Sequence, residues 1–359
     1  MALLSARIKK KSLISLALYV AFMLAYFLGY SYLMNGMEFM GENPEAFIGE
    51  ISGRLAFLKG IGEASLLVPL PFIIALFATV IICGVALLLI SKHYIRIVTM
   101  SVGSSGVVYK EKRLTSSSAF TALAKKELKR FISSTTYMLN GISGIIFEVI
   151  AVVFIVLNVS TVRELISTLS IAFGFDGYGI SVSASAGILL AFSAMNSISA
   201  SALSLEGKSF WVLKTAPVRT LDVLLAKIVP HLLVSVPTSL ITAVVLGVAI
   251  GAGAIDYIML ILVAILSNLL IAEVGIIINA AMPKFDFENE AQVVKQSGAA
   301  GISVLGGMLI GILLLGASVF LGYHLGSIGA LILLVAVIVL CVGMYFVLTG
   351  PTLRKYERL

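Results

Sequence analysis

A polytopic bundle of transmembrane helices, all-α and crossing the membrane about eight times, is the fold this sequence predicts. Three observations carry the prediction. Apolar stretches close to 20 residues long, the length of helix that crosses a hydrocarbon core of about 30 Å, recur eight times along the 359 residues. Hydrophobic residues make up 60% of the chain and charged residues 12%, more apolar surface than a soluble fold can bury. The charge of the connecting loops alternates between basic and acidic, as topology requires.

Taken in order, Arg7, Lys9, Lys10 and Lys11 hold the N-terminus in the cytoplasm before a first span at 13–34. That apolar stretch is longer than a signal peptide's and lacks a small-residue cleavage site, so an uncleaved span is expected. The next loop carries Glu38, Glu42, Glu45, Glu50 and Glu63 against Arg54 and Lys59 and reads as external. A second span at 66–90 returns to a basic segment with Lys92, Arg96, Lys110, Lys112 and Arg113. Spans at 138–157 and 181–203 flank an external loop with Arg163, Glu164 and Asp176. Lys208, Lys214 and Arg219 mark the following loop as internal. Spans at 223–248 and 255–280 meet at a short external turn holding Asp256. The loop around 284–295 must then be internal, although its slightly acidic balance lends the rule no support. Spans at 302–320 and 328–348 complete the count, and Arg354, Lys355 and Arg358 place the C-terminus inside.

The net charge of +7 follows from this topology, because the basic residues lie where anionic headgroups attract them. No soluble domain exists to carry a nucleic-acid interface, so no nucleic-acid partner is expected. Cys83 and Cys341 both fall inside spans, which argues against a disulfide framework. The chain divides into a two-span piece (1–90), a polar Gly/Ser-bearing linker (91–117) and a six-span unit (118–359).

Residues 118–131 read as an amphipathic helix lying on the membrane. Phe120, Leu123, Ala124, Leu128 and Phe131 share one face, Lys125, Lys126, Lys129 and Arg130 the other, and Ser118 supplies an N-cap. A simple tether and a docking element fit this pattern equally. The loop from Ser204 to Lys227 holds the only tryptophan, Trp211, beside Phe210, with Glu206, Gly207, Lys208 and Lys214 close by and Pro217 ending the local helix. Two accounts fit it: an aromatic-anchored helix for a partner's groove, or membership of the interfacial aromatic belt.

Nothing recommends an enzyme. Gly207-Lys208-Ser209 is no phosphate-binding loop, since Ala202 stands where the first glycine is needed and a membrane helix, not a strand, precedes it. Asp286, Glu288 and Glu290 crowd one loop without the spacing of a calcium-binding loop and read as a charged elbow. No catalytic residue and no metal ligand set is assigned. Within the spans, Glu148 and Glu273 are the notable ionisable groups. With Asn196 and Asn268 near by in the spans, they line a translocation path, stand neutral and hydrogen-bonded, or lock helices together. Lys227, near the cytoplasmic end of its span, can simply snorkel. Serine, alanine and glycine crowd the span at 181–203, and Gly307 and Gly311 stand at GxxxG spacing; both favour close packing, though the serines also suit a cavity lining.

The stretch L-E-G-K-S-F-W-V-L-K-T-A-P-V, followed by L-L-A-K, resembles the E-G-K-x-F-W-x-L-K-x-x-P stretch of bacterial ATP-binding-cassette (ABC) exporter permeases of the second type. P-K-F-D-F-E-N-E with V-K-Q-S, and K-K-E-L-K-R with Y-M-L-N, resemble further stretches, with Phe287 where a tryptophan is common. The resemblance implies a membrane-spanning subunit in a prokaryotic plasma membrane. An interface helix would hold Lys125, Lys126, Glu127, Lys129 and Arg130, and a coupling helix at 205–213 would precede Lys214. Glu206, Gly207, Lys208, Phe210, Trp211 and Lys214 would contact a separate ATPase subunit that binds ATP-Mg. The resemblance further implies a second permease half or a second copy of the chain, and suggests the C-terminal part of a longer two-half permease. Two other readings remain open, an ion-driven secondary transporter and a non-transporting scaffold or immunity subunit.

Overall fold

The computed structural model of the chain describes residues 17–19, 21–26, 29, 66, 68–102 and 117–359. Among them the structure is helical, without a strand. The acidic loop at 38–63, the residues at 103–116 and parts of the span at 13–34 lie outside the described residues. Two compact units divide the chain near residue 115, with α1 (Pro69–Val102) in the first and residues 117–359 in the second.

In the second unit, α2 (Ala119–Ser133) starts at Ser118, whose Oγ accepts from the Thr121 N–H at 3.2 Å, the cap the sequence predicts. Ser134 closes α2 and caps α3 (Thr135–Gly141) through the Tyr137 N–H. Next come α4 (Ser143–Leu157), α5 (Val159–Phe173), α6 (Gly177–Ala194), α7 (Ser199–Ala202), a 3₁₀ elbow (Ser204–Ser209) and α8 (Phe210–Thr215). The chain continues with α9 (Thr220–Ile250), α10 (Ala254–Ala281), α11 (Glu290–Val294), α12 (Gly298–Leu325) and α13 (Ile328–Arg358).

Six helical stretches among the described residues are long and apolar enough to span a bilayer, and α3 with α4, bent by 55°, makes a seventh. These coincide with the second to eighth spans expected from hydropathy. The external loop expected at 158–180 contains a helix of its own, α5.

The bend in the third span has a local cause. At Ile142 the helix breaks, and α6 breaks nearby at Met195 to Ile198. A break frees backbone groups that lipid cannot satisfy. Here the two breaks satisfy each other: the Ile145 N–H donates to Asn196 Oδ1 at 3.1 Å, Ser143 Oγ donates to the Met195 carbonyl at 2.9 Å, and the Ser197 N–H donates to the Gly141 carbonyl at 3.1 Å. Gly144 permits the approach, since a Cβ there would come within 2.2 Å of the Phe192 carbonyl oxygen.

α6 is the central helix. In the stretch that α6 opens, Gly177–Thr215, 78% of the most apolar window is buried, against 11% for α12, which shows most of its surface outward. Its small residues serve packing. Gly307 and Gly311 of α12 press on the backbone of Ala194 and Ala191, and Gly187 of α6 lies against Ser318. Ser181 and Ser185 return their hydroxyls to backbone carbonyls one turn back, and Ser193 pairs with Ser267 of α10. Leu189, Leu246, Leu260 and Val263 are among the buried side chains that fill the space between α6, α9 and α10.

Candidate coupling elbow and its buried ion cluster

The elbow between α7 and α8 is built by three helices at once. Asn279, near the end of α10, accepts the Leu203 and Ser204 N–H groups on Oδ1 at 2.8 and 3.0 Å and donates from Nδ2 to Ser204 Oγ at 2.7 Å. Ser204 Oγ also accepts the Lys284 N–H. The chain then turns at Gly207 with φ of 53°, a left-handed conformation that favours glycine, beneath the ring of Phe287. α8 packs Phe210 inward, stacked on Phe285 with centroids 4.4 Å apart and edge-on to Tyr356 at 5.3 Å.

Behind the elbow lies the densest charge cluster among the described residues. Glu206 accepts Lys126 Nζ on both oxygens at 2.8 and 2.9 Å, both guanidinium ends of Arg130 at 3.0 and 2.8 Å, and Lys227 Nζ at 2.6 Å. Lys227 also donates to Glu127 at 3.1 Å and to the Ala202 carbonyl at 3.1 Å. Glu127, Glu206 and Lys227 are buried, Arg130 is partly exposed and Lys126 is exposed. Three cations face two carboxylates, so every buried charge has a counter-charge within hydrogen-bond reach, the condition under which buried ions are tolerated. Burial alone would lower the proton affinity of the Arg130 guanidinium. The hydrogen bond to Glu206 and the charges of Glu127 and Glu206 outweigh it and hold the group above its ordinary value.

The structure thus separates the residues that the sequence groups together. Glu206, Gly207 and Phe210 turn inward, whereas Lys208, Trp211 and Lys214 are exposed, Trp211 at 64%. Lys214 reaches the Glu357 carbonyl at 3.2 Å. On α2, Lys126, Glu127 and Arg130 join the cluster, while Lys125 and Lys129 stay exposed. Lys227 does not snorkel; its amine points into the bundle because two carboxylates and a carbonyl solvate it there. Asn279 has no signal in the sequence that sets it apart from other buried span residues, and neither has Tyr356 in the C-terminal tail; Phe285 lies in the P-K-F-D-F-E-N-E stretch, which the sequence did single out.

Asn196 holds the paired helix breaks and Glu273 is buried on α10. Glu148 lies on α4, buried, facing Ser239 and Thr242 of α9, and Asn268 of α10 donates to Ser239 Oγ at 2.9 Å. Thus Glu148 and Asn268 share one polar patch, with Asn196 elsewhere. Lys227, His231, Ser235, Ser239 and Thr242 form a buried polar stripe on α9 at helical spacing, running from the ion cluster to this patch.

No curated protein and no solved structure matches the chain. A family model described as "Membrane protein of 12 TMs" matches residues 1–349. Nearly the whole chain is covered, and the chain belongs to this family of multi-span membrane proteins.

Proposed function

We propose that the chain is the membrane-spanning subunit of an ABC exporter in a prokaryotic plasma membrane, coupling ATP hydrolysis by a separate subunit to substrate movement. The observation that carries this reading is the clamp of Lys126, Arg130 and Lys227 on Glu206. It joins the interface helix α2, the elbow and α9 into one unit that presents Trp211 and Val212 outward. Exposed aromatics on a rigidly held short helix are the kind of anchor that partner grooves take. In this reading the ATPase subunit, with its ATP-Mg, seats over Trp211 and Val212 between Lys208 and Lys214. Its closure displaces α8, and the buried cluster passes the displacement to α9 and α2. Substrate passes between this bundle and a second permease half or a second copy of the chain. The present chain supplies no catalytic residue.

The test is co-purification in mild detergent after expression with the chromosomal neighbours. Recovery of an ATPase subunit, lost in Trp211→Ala/Val212→Ala at an unchanged melting temperature, is the expected result. Recovery of the chain alone, or undiminished recovery with the double variant, overturns the reading.

A second reading, a carrier driven by an ion gradient, is favoured by the paired helix breaks at Ile142 and Asn196, because discontinuous helices are the material of ion-coupled sites. Gradient-driven uptake without ATP by the reconstituted chain would decide for it.

A further inference from the structure

We propose that Glu148 is a proton-binding site within the bundle, a carboxyl that carries its proton by donating to Thr242 Oγ1 while accepting from the Ser239 hydroxyl. The inference stands apart from either transport reading.

The first ground is isolation. Glu148 is 0% exposed, and neither of its oxygens closes a hydrogen bond. Among the described residues it forms no ion pair; the cations that do pair lie in the cluster around Glu206. A carboxylate sealed from water without a counter-charge is avoided by taking up a proton. The elements packed on α4 include α5, α6 and α9. Of their charged or titratable groups, Tyr178 of α6 donates to Asp256, Arg163 donates to the Ala249 and Val248 carbonyls, and Glu164 is exposed beside it. Asp222 lies in the first turn of α9 and Lys227 in the ion cluster. His231 stands eight residues before Ser239, roughly 12 Å along the helix. The polar side chains left to face the carboxyl are Ser239 and Thr242.

The second ground is the donor and acceptor count at those two hydroxyls. Asn268 Nδ2 gives its hydrogens to Ser239 Oγ at 2.9 Å and to the Ala264 carbonyl at 2.8 Å. The Ser239 oxygen is thereby engaged as an acceptor, and its own hydrogen is free for Glu148. Thr242 Oγ1 spends its hydrogen on the Thr238 carbonyl at 3.1 Å, which leaves its lone pairs open. One donor and one acceptor are the complement of a neutral carboxylic acid, whereas a carboxylate accepts only and would have no use for the second. An approach of α4 to α9 closes both bonds. Separation of α4 from α9 would admit water, and the proton would pass to it.

The test is infrared spectroscopy of the full chain reconstituted in lipid at neutral pH. The carbonyl stretch of protonated carboxylic acid is expected in the wild type, with a component that is lost in Glu148→Gln and retained in Glu273→Gln, which accounts separately for the other buried carboxyl. Glu148→Gln keeps one donor and one acceptor and should melt at the wild-type temperature. Thr242→Val, which keeps the side-chain shape and removes the acceptor, should shift the stretch to higher frequency. It carries the test should the Gln variant fail to assemble. Absence of the band in the wild type, an undiminished band in Glu148→Gln, or an unmoved frequency in Thr242→Val overturns the proposal.

Discussion

Lys227 Nζ lies 2.6 Å from Glu206 Oε1, with both side chains almost closed to solvent. That contact joins a membrane helix to the elbow that precedes it by 21 residues, and Arg130 and Lys126 complete it from a third element. Removing one partner from a buried pair leaves an uncompensated charge. Lys227→Met should therefore cost about 3–5 kcal/mol of stability. Lys126→Ala, whose side chain is 41% exposed, should cost ~0–1 kcal/mol. Thermal unfolding in detergent separates the two, and equal losses would show that the cluster does not depend on its buried member.

The two aromatics of the elbow should part in the same way. Phe210→Ala removes a ring stacked between Phe285 and Tyr356 and should cost about 3–5 kcal/mol. Trp211→Ala should stay within about 0.5 kcal/mol of wild type, because its ring lies outward. Melting curves of the two variants check this, and a large loss at Trp211 would mean that its ring is covered within the chain.

Asn279→Ala should loosen the elbow without altering any charge. It strips the acceptor from the Leu203 and Ser204 N–H groups, and each buried donor left unpaired costs roughly 1–3 kcal/mol. Limited proteolysis should detect the change as new cleavage at 203–209, and a protease pattern identical to wild type would contradict it.

Glycines should divide by what faces them. Gly307→Leu and Gly187→Leu drive a side chain into the Ala194 carbonyl and into Ser318, so folded yield should fall sharply. Gly316→Leu, with nothing within 4 Å of the added Cβ, should insert and fold as wild type. Size-exclusion profiles of the three variants give the comparison.

The spans were legible because crossing a membrane is a local property: about 20 consecutive residues suffice to state it. The cap at Ser118 was legible for the same reason, and so was the close packing of Gly307 and Gly311, since GxxxG places both on one face. The bend at Ile142 was not, because Asn196, which makes it tenable, is 51 residues from the N–H it accepts. Nor was the direction of Lys227. Near the end of a span a lysine can snorkel to the interface or turn inward, and only the positions of Glu127, 100 residues before it, and of Glu206 decide between them. Hydropathy acts segment by segment, so a multi-span helical membrane protein could be read from the residues in order. Tertiary structure alone decided which polar groups meet, since a buried charge or a freed backbone group takes the partner that folding brings within about 3 Å, however far away it lies in the chain.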